Sequence, residues 1–325
     1  VEDYDFVVVL DADSVMSGET IVELVRRMEA NPDAGLMQTV PIPARQETRF
    51  GRFVQFAAAL YSPMLAAGQS FWQGDAANYW GHNAILRLRP FVEHGKLPVL
   101  PGRPPLGGAV LSHDIVAAAL LRRAGWGVYL LASLPGSWEG VPGNVVDFAK
   151  RERRWAQGSL QHLRLLGLRG QHPISRLHFV LGAMGYVTSA LWRLLLLAGT
   201  GYVLMPELSA GPTLAVPPAL PGGAVPLLGV TAVVLFGPKL LGLLLAAGRR
   251  RQHFGGMPRL TLGALAEAAF SVLTAPVMML YHTWFVLSIV GGREVAWLPQ
   301  ERDGRAVGWR EGIVSSWWMS VTATV

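Results

Sequence analysis

Phe6-Val7-Val8-Val9-Leu10-Asp11-Ala12-Asp13 is the stretch that decides the fold. Its first five residues are apolar and include three β-branched valines, which is typical of a buried parallel strand. The strand ends in two carboxylates, Asp11 and Asp13. Because ligands of open α/β sheets bind outside the carboxyl ends of the strands, this stretch predicts both a sheet and a binding site at its edge.

Further strands and helices alternate along the first half of the chain. The residues from Ser17 onward are typical of a helix start, and apolar residues on one face continue that helix to about Glu29. Such alternation favours an α/β fold with a parallel or mixed sheet covered by helices. The other predicted elements are helices over residues 50–67 and 112–124, and strands over residues 35–40, 84–87 and 127–131.

The composition distinguishes a water-facing first half from a lipid-facing second half. Apolar residues make up 51% of the chain and charged residues only 15%, whereas soluble domains hold about 25% charged residues. Of the 22 acidic residues, 16 precede His178. These values exclude disordered, collagen-like and coiled-coil proteins. The absence of cysteine excludes a disulfide framework and thiolate zinc sites.

Two apolar stretches in the second half, residues 179–204 and 227–247, are long enough to predict membrane-spanning helices, which need about 20 apolar residues. A third stretch, residues 260–290, is interrupted by Glu267, Pro276 and His282. We therefore expect it to lie along the inner membrane interface or to form a re-entrant hairpin. The start of a further span is predicted over residues 312–325.

The distribution of basic residues predicts the orientation of these spans. The loop after the first span contains Glu207 and has no Lys or Arg, whereas a cluster of three arginines, residues 249–251, follows the second span. By the positive-inside rule, the loop lies outside and the arginines lie in the cytoplasm. Arg193 and Lys239 fall inside apolar spans and are expected to face protein or a polar conduit, since charges in lipid are costly. The alternative is that their long side chains reach a membrane interface.

Asp11 and Asp13 are candidate metal ligands. Two carboxylates at positions i and i+2 offer the hard oxygen donors that Mg²⁺ and Mn²⁺ prefer, and such a cation would hold a diphosphate. The alternative is a solvated turn at the end of a strand.

Two later segments carry polar side chains that suit a binding site. Residues 81–87 include His82 and Asn83, which are typical of sugar binding, although an ordinary loop before a strand is the alternative. Residues 112–114 precede an apolar helix, where Asp114 is either a general base or a carboxylate that complements the helix N-terminus.

The basic cluster of residues 151–158 is the fourth candidate. It contains Arg151, Arg154 and Trp155, which suit a diphosphate clamp beside a stacking platform for a sugar ring. The alternative is an interfacial helix that enters the membrane.

In this order and at these spacings, the four segments resemble the motifs of the processive family 2 glycosyltransferases, the cellulose- and hyaluronan-synthase type. Those enzymes carry D-x-D, a glycine-led acceptor segment, T-E-D and Q-x-x-R-W, followed by membrane helices. Two departures, His113 for Glu and Arg151 for Gln, point to one subgroup, the inner-membrane glucosyltransferases of osmoregulated periplasmic glucan synthesis. The counterparts here are residues 11–13, 81–87, 112–114 and 151–155.

The resemblance implies the C-terminal part of a GT-A-type (Rossmann-like) catalytic domain over residues 1–176 and an α-helical membrane domain over residues 177–325. The family transfers glucose from UDP-glucose, with inversion, onto a growing β-glucan and moves the product across the membrane. The resemblance implies that Asp11 and Asp13 hold Mg²⁺ or Mn²⁺ and the diphosphate, and that Asp114 is the general base. It implies that Arg154, with Arg151, holds the leaving diphosphate, that Trp155 stacks on the acceptor sugar, and that His82 and Asn83 lie near the acceptor. Arg302 would reach the diphosphate from a gating loop over residues 297–302; the alternative for these residues is a plain connecting loop.

The resemblance also implies a multi-pass protein of the bacterial inner membrane, with a cytoplasmic catalytic domain and an acyl carrier protein as a partner. The family's uridine-binding strand and preceding membrane helices have no counterpart here, so we expect a fragment of a longer enzyme. The alternatives are a synthase of another polysaccharide, such as cellulose or hyaluronan, and a non-catalytic membrane scaffold or transporter. Nucleic acid is not an expected partner, because the basic residues lie beside apolar spans.

Overall fold

The structure is a computed structural model that describes residues 3–210, 224–295 and 307–323. In these residues the first half of the chain forms two small sheets with helices around them. The strands are Phe6–Val9 (β1), Val15–Met16 (β2), Ala34–Thr39 (β3), Ile42–Pro43 (β4), Ala84–Arg87 (β5), Gly127–Leu131 (β6) and Ser137–Glu139 (β7).

The larger sheet is mixed and has the strand order β1-β5-β3-β6. β5 runs antiparallel to β1 and β3, and β3 runs parallel to β6. β1, β3 and β6 therefore point in the same direction, and their carboxyl ends meet at one edge, where the chain also enters β5. The predicted α/β class with a mixed sheet is confirmed. The interpretation of β1 as a buried parallel strand is wrong, because β1 is a half-buried edge strand paired antiparallel.

The smaller sheet has the order β2-β7-β4 and continues from the larger one. β2 follows β1 in the chain, β4 follows β3, and β7 follows β6. The polar residues that leave the larger sheet at its carboxyl edge are consequently held between the two sheets.

Helices on both faces bury the larger sheet. Alternate residues of its strands point to opposite faces, so Leu36 packs in one apolar cluster and Met37 in another. The first cluster includes Leu121 of a helix that covers one face, and the second includes Leu24 of a helix that covers the other. The helices of this part are Gly18–Ala30 (α1), Arg49–Gln73 (α2), Leu88–His94 (α3) and His113–Arg123 (α4).

α2 is longer than the predicted helix over residues 50–67. It continues through Pro63 to Gln73, Gly74 N donates to Ser70 O, and the φ of 55° at Gly74 turns the chain out of the helix. α2 contacts both the sheet and the helices of the second half of the chain.

The second half consists of long helices. By length and composition, three described stretches are apolar enough to cross a membrane: Pro173–Tyr202, Val225–Arg249 and Met257–Val290. The first two confirm the predicted apolar helices. The helices of this part are Val145–His162 (α5), Pro173–Ala210 (α6), Ala224–Arg249 (α7), Met257–Val290 (α8) and Trp309–Ala323 (α9).

α8 corrects one of the two predictions for residues 260–290. It is a single helix of 34 residues with Pro276 inside it, so the re-entrant hairpin is wrong. Its first half packs on α2, where Phe270 stacks on Phe53 with ring centroids 4.6 Å apart. Just beyond its end, Val295 N donates to Gln157 Oε1 of α5 at 2.8 Å. Both ends of α8 thus lie against the first half of the chain, which favours the interfacial alternative; its orientation in a membrane stays a prediction.

Polar side chains inside the apolar helices have protein partners. Lys239 Nζ lies 2.7 Å and 2.8 Å from the two carboxylate oxygens of Glu267, which is only 2% exposed. The Tyr61 hydroxyl of α2 and the Ser271 hydroxyl also donate to this carboxylate, at 2.8 Å and 2.6 Å. Lys239 therefore faces protein, as predicted, and Glu267 does not mark a break in α8. We call Tyr61, Lys239, Glu267 and Ser271 the membrane cluster.

Candidate active site

The carboxyl edge of the larger sheet forms one side of a cleft of about 610 Å³. Asp13, which follows β1, and Glu139, which ends β7, both line it. A Cβ atom added to Gly140 would lie 2.7 Å from Asp13 Oδ2, so the two strand ends touch. We call this opening the cleft; its lining residues are 12–15, 44–46 and 138–141.

Asp114 is brought to the same region by the first turn of α4. A Cβ atom added to Gly81 would lie 2.7 Å from Asp114 Cγ, and Gly81 has a φ of 95°. The glycine-led segment and the predicted general base are therefore in direct contact. Burial raises the pKa of the Tyr79 phenol, and the charges of Asp114 and Asp11 raise it further, so all three groups are near one another.

His113 holds one oxygen of the Asp114 carboxylate. Its Nε2 lies 2.9 Å from Asp114 Oδ1, and this hydrogen bond raises the pKa of the His113 imidazole. Within the described residues, Oδ2 of Asp114 has no hydrogen-bond donor from protein. One carboxylate oxygen therefore remains available to a hydroxyl group in the site.

His82 connects the cleft to the core of the sheet. Its Nδ1 lies 2.7 Å from Asn83 Oδ1 and 3.3 Å from Ser14 Oγ, and its Nε2 lies 3.5 Å from Glu139 Oε2. The Asn83 amide nitrogen donates to Ser137 Oγ at 2.6 Å, so Asn83 Oδ1 accepts and His82 Nδ1 donates. This arrangement directs Nε2 of His82 toward the cleft.

The structure separates His82 and Asn83, which the sequence assigned together to the acceptor. Asn83 is 0% exposed, has a φ of 51°, and uses its side chain to join β5 to β7. The Asn83 side chain bonds to His82 and Ser137, and its predicted place near the acceptor stays a prediction. His82 remains at the cleft, and Asn83 orients it.

Arg151, Arg154 and Trp155 lie on α5, which Asn144 caps by accepting from Asp147 N. The Arg151 guanidinium lies 4.4 Å from the Trp155 ring centroid and 4.9 Å from that of Phe148. Burial lowers the pKa of the Arg151 guanidinium, and the charges of Glu152, Glu139 and Asp13 oppose this shift. A cation held between aromatic rings therefore faces the carboxylates of the cleft.

Trp155 and Arg154 differ in exposure. Trp155 is 42% exposed and lies beside Arg151, whereas Arg154 is 9% exposed. An exposed indole ring suits stacking on a sugar ring. Arg302 and the predicted gating loop lie outside the described residues, so their roles stay predictions.

Asp11 and Asp13, which follow β1, could bind a divalent cation only together with ligands from substrate or water. Among the described residues, no group of three or more His, Asp or Glu side chains is placed to bind a metal. Asp11 and Asp13 offer two carboxylates in a turn closed by Ser14 N on Asp11 O at 2.9 Å. Mg²⁺ and Mn²⁺ commonly take their remaining oxygen ligands from substrate phosphates and water, so this donor set suits such a cation.

Sequence reasoning missed one group in this site, Glu139. Glu139 faces His82, Arg151 and Asp13, and burial raises the pKa of its carboxyl. The signal for Glu139 was its place at the end of a short strand, the same position that identified Asp11. That strand is only three residues long, too short for a periodic pattern.

Comparison with known families matches residues 6–290 to the family described as Glycosyl transferase family group 2. The match covers most of the chain, and the chain therefore belongs to the family 2 glycosyltransferases.

The relatives make the comparison more specific. A protein named glucans biosynthesis glucosyltransferase H from Pseudomonas fluorescens strain Pf-5 is 44% identical over 319 residues, which are 96% of this chain and 37% of the relative. The protein of that name from Pseudomonas syringae pv. syringae is 45% identical over 319 residues, 96% of this chain and 40% of the relative. The resemblance seen in the motifs is confirmed, and the chain spans about two fifths of the length of these relatives.

Proposed function

We propose that the protein containing this chain transfers glucose from UDP-glucose, with inversion and processively, onto a growing β-glucan of the periplasmic type. The main support is the contact between Gly81 and Asp114 beside the cleft that holds Asp13. The reaction needs a base next to the acceptor, and this contact between the proposed acceptor segment and the proposed base supports such an arrangement. The names of the relatives support glucan as the product.

Asp114 acts as the general base in this proposal. The acceptor hydroxyl loses its proton to Asp114 while its oxygen attacks the anomeric carbon of the donor glucose from the face opposite the diphosphate. The new glycosidic bond forms as the bond to the diphosphate oxygen breaks, and UDP leaves. Asp114 Oδ2 suits this step, because His113 occupies only Oδ1.

Arg151 and Arg154 stabilise the leaving diphosphate. Negative charge develops on UDP as the bond breaks, and a fixed positive charge in a partly buried site offsets it strongly. Mg²⁺ or Mn²⁺ at Asp11 and Asp13 would add Lewis-acid neutralisation of the same diphosphate. Trp155 offers its exposed ring to the acceptor sugar, and His82 directs Nε2 to Glu139 in the cleft.

The remaining partners and the location are proposed on the same basis. Helices α6 and α7 suit a lipid bilayer, and the arginines at residues 249–251 suit a cytoplasmic catalytic domain at the bacterial inner membrane. An acyl carrier protein remains a partner implied by the resemblance alone.

The decisive experiment is transfer of labelled glucose from UDP-glucose by the full-length protein in membranes, followed by linkage analysis of the product. A labelled β-glucan supports the proposal. A product of another sugar or linkage type identifies a different polysaccharide synthase. No transfer by a membrane preparation that binds UDP supports the non-catalytic alternative.

A further inference from the structure

The part of α5 after Trp155 packs against residues 105–112, the segment that precedes α4. Four residues of this part, Gln157, Gly158, Gln161 and His162, are buried. They lie against residues 105–112, which end two positions before Asp114. Gln157 and Gly158 end the basic segment of residues 151–158 but were given no role there, and Gln161 and His162 lie outside the motifs that the sequence analysis selected.

Gln161 fixes the backbone of this segment at three points. Its Oε1 accepts from Leu111 N at 2.9 Å, and its Nε2 donates to Pro105 O at 3.0 Å and to Ala109 O at 3.2 Å. Gln161 is 2% exposed, so water does not compete for these bonds.

His162 fixes the residue that begins the motif. Its Nε2 donates to Ser112 O at 2.9 Å, and the ring packs on Phe179 with centroids 5.4 Å apart. Burial lowers the pKa of the His162 imidazole to about 4, so the ring is neutral at physiological pH and donates as a fixed tautomer.

Gly158 allows the two elements to approach this closely. A Cβ atom at this position would collide with Ser112 Cβ. Gly158 therefore acts by being small, whereas Gln161 and His162 act by hydrogen bonding.

We propose that Gln161 and His162 are positioning residues that set where the Asp114 carboxylate lies relative to Arg154 and Trp155. This inference rests on the proposed function of Asp114. A helix is stiff, and residues 154–155 and 161–162 are about two turns, or about 11 Å, apart along it. Fixing Ser112 to His162 therefore fixes the base relative to the groups that bind the diphosphate and the acceptor.

The size of the effect follows from the geometry of the reaction. A displacement of about 1 Å in a reacting group can cost about 10²-fold in rate, even when its cause lies away from the reacting atoms. Loss of the bonds at residues 111–112 should shift Asp114 without altering Asp11 or Asp13. The catalytic rate should fall while nucleotide binding is retained.

The test compares His162→Leu with His162→Gln in the full-length protein in membranes. We expect His162→Leu to lower kcat about 10²-fold, with KM for UDP-glucose and the affinity for UDP within about twofold of wild type. His162→Gln keeps a donor and should retain most of kcat. Its pH profile should match wild type, because His162 does not ionise in the working range.

His178→Leu is the matched control. His178 is also buried and hydrogen-bonded to a backbone carbonyl, with Nε2 3.2 Å from Ala76 O, but it does not contact the segment before Asp114. We expect it to leave kcat within a few-fold of wild type. An equal loss of kcat in both Leu variants, or a loss of UDP binding in His162→Leu, would show that His162 only supports folding and would overturn the inference.

Gly158→Ala keeps the test decisive if His162→Leu is poorly folded. It should push Ser112 away and lower kcat while the protein still binds UDP. Wild-type kcat in Gly158→Ala or in a folded His162→Leu overturns the positioning role. Failure of the proposed function is recognised separately, by an Asp114→Asn variant that keeps its activity.

Discussion

The cleft and the membrane cluster both place carboxylates beside positive charge, yet they use them differently. In the membrane cluster both oxygens of Glu267 are occupied, since Lys239, Ser271 and Tyr61 all donate to them. Beside the cleft, Asp114 has a protein donor at Oδ1 only, within the described residues.

The difference distinguishes structural carboxylates from reactive ones. A buried carboxylate with all its lone pairs satisfied joins helices and gains nothing from a ligand. A carboxylate at the mouth of a cleft with one oxygen available can accept a proton from a substrate. We therefore expect substitutions in the cleft to affect the reaction, and substitutions in the membrane cluster to affect stability.

Asp114→Asn should give the largest loss. Asn keeps the shape of Asp but cannot take a proton, so glucose transfer should fall by about 10²–10⁴-fold. UDP binding should be nearly unchanged, because Asp11 and Asp13 are intact. Transfer assays with calorimetry of UDP binding test this, and activity above about a tenth of wild type would contradict the role of Asp114.

Asp13→Ala should remove metal-dependent UDP binding and lower transfer by about 10²–10³-fold, the usual loss for a group that neutralises charge in the transition state. Calorimetry with and without Mg²⁺ measures the effect. If the mutant binds UDP with the same Mg²⁺ dependence as wild type, the strand end is only a turn.

Gly81→Ala should lower transfer by about 10- to 100-fold, because its methyl group would displace the Asp114 carboxylate. Its φ of 95° adds backbone strain. The matched control is Gly68→Ala on α2, where a Cβ atom meets nothing within 4 Å. That variant should keep its activity and become more stable, since Ala favours a helix over Gly by about 1 kcal/mol. Equal activity in the two variants would show that Gly81 does not influence the position of Asp114.

Glu267→Leu should destabilise the protein by about 3 kcal/mol, because it leaves Lys239 without its partner among apolar helices. The double variant Lys239→Met, Glu267→Leu should be less destabilised than Glu267→Leu alone. UDP binding by the folded protein should stay at the wild-type level. Thermal unfolding in detergent, with UDP calorimetry on the same samples, measures both. Lost UDP binding in a folded variant would make the membrane cluster part of the site.

A cysteine at Glu294 tests the orientation of α8 with no expected effect on activity. Glu294 is exposed and adjoins Val295, which bonds to Gln157. In intact cells it should resist a membrane-impermeant thiol reagent added from the periplasmic side. A cysteine in residues 211–223, the loop expected outside, should react. Labelling at both positions would mean that α8 crosses the bilayer.

The sequence was sufficient for most elements of the first half. The strands β5 and β6 have the predicted bounds, because each is a short apolar run between turns. The pairing of β1 could not be obtained in this way, since strand direction is set by contacts between distant residues rather than by a local pattern.

Partners from distant parts of the chain could not be predicted from the sequence. Glu267 in α8 was interpreted as an interruption of an apolar stretch, and Asn83 as a residue near the acceptor. Both are satisfied by protein groups from elsewhere in the chain: Glu267 by Lys239 and Tyr61, and Asn83 by Ser137. The family could be recognised from sequence because the residue types and order of the four motifs are unusual together. Gln161 and His162 contact backbone atoms, and no motif records such contacts.

The contacts at both ends of α8 bear on how the protein responds to bilayer thickness. Helices α6 and α7 have to match a hydrocarbon layer of about 30 Å if they cross it, and mismatch tilts such helices or deforms the lipid. α8 is about 51 Å long at 1.5 Å per residue, and it is held by Phe53 near Phe270 and by Gln157 at Val295. The position of α8 is therefore set by contacts with protein on both halves of the helix. We expect lipids with longer or shorter acyl chains to change the tilt of α6 and α7. The distance between α2 and α5 along α8 should stay unchanged.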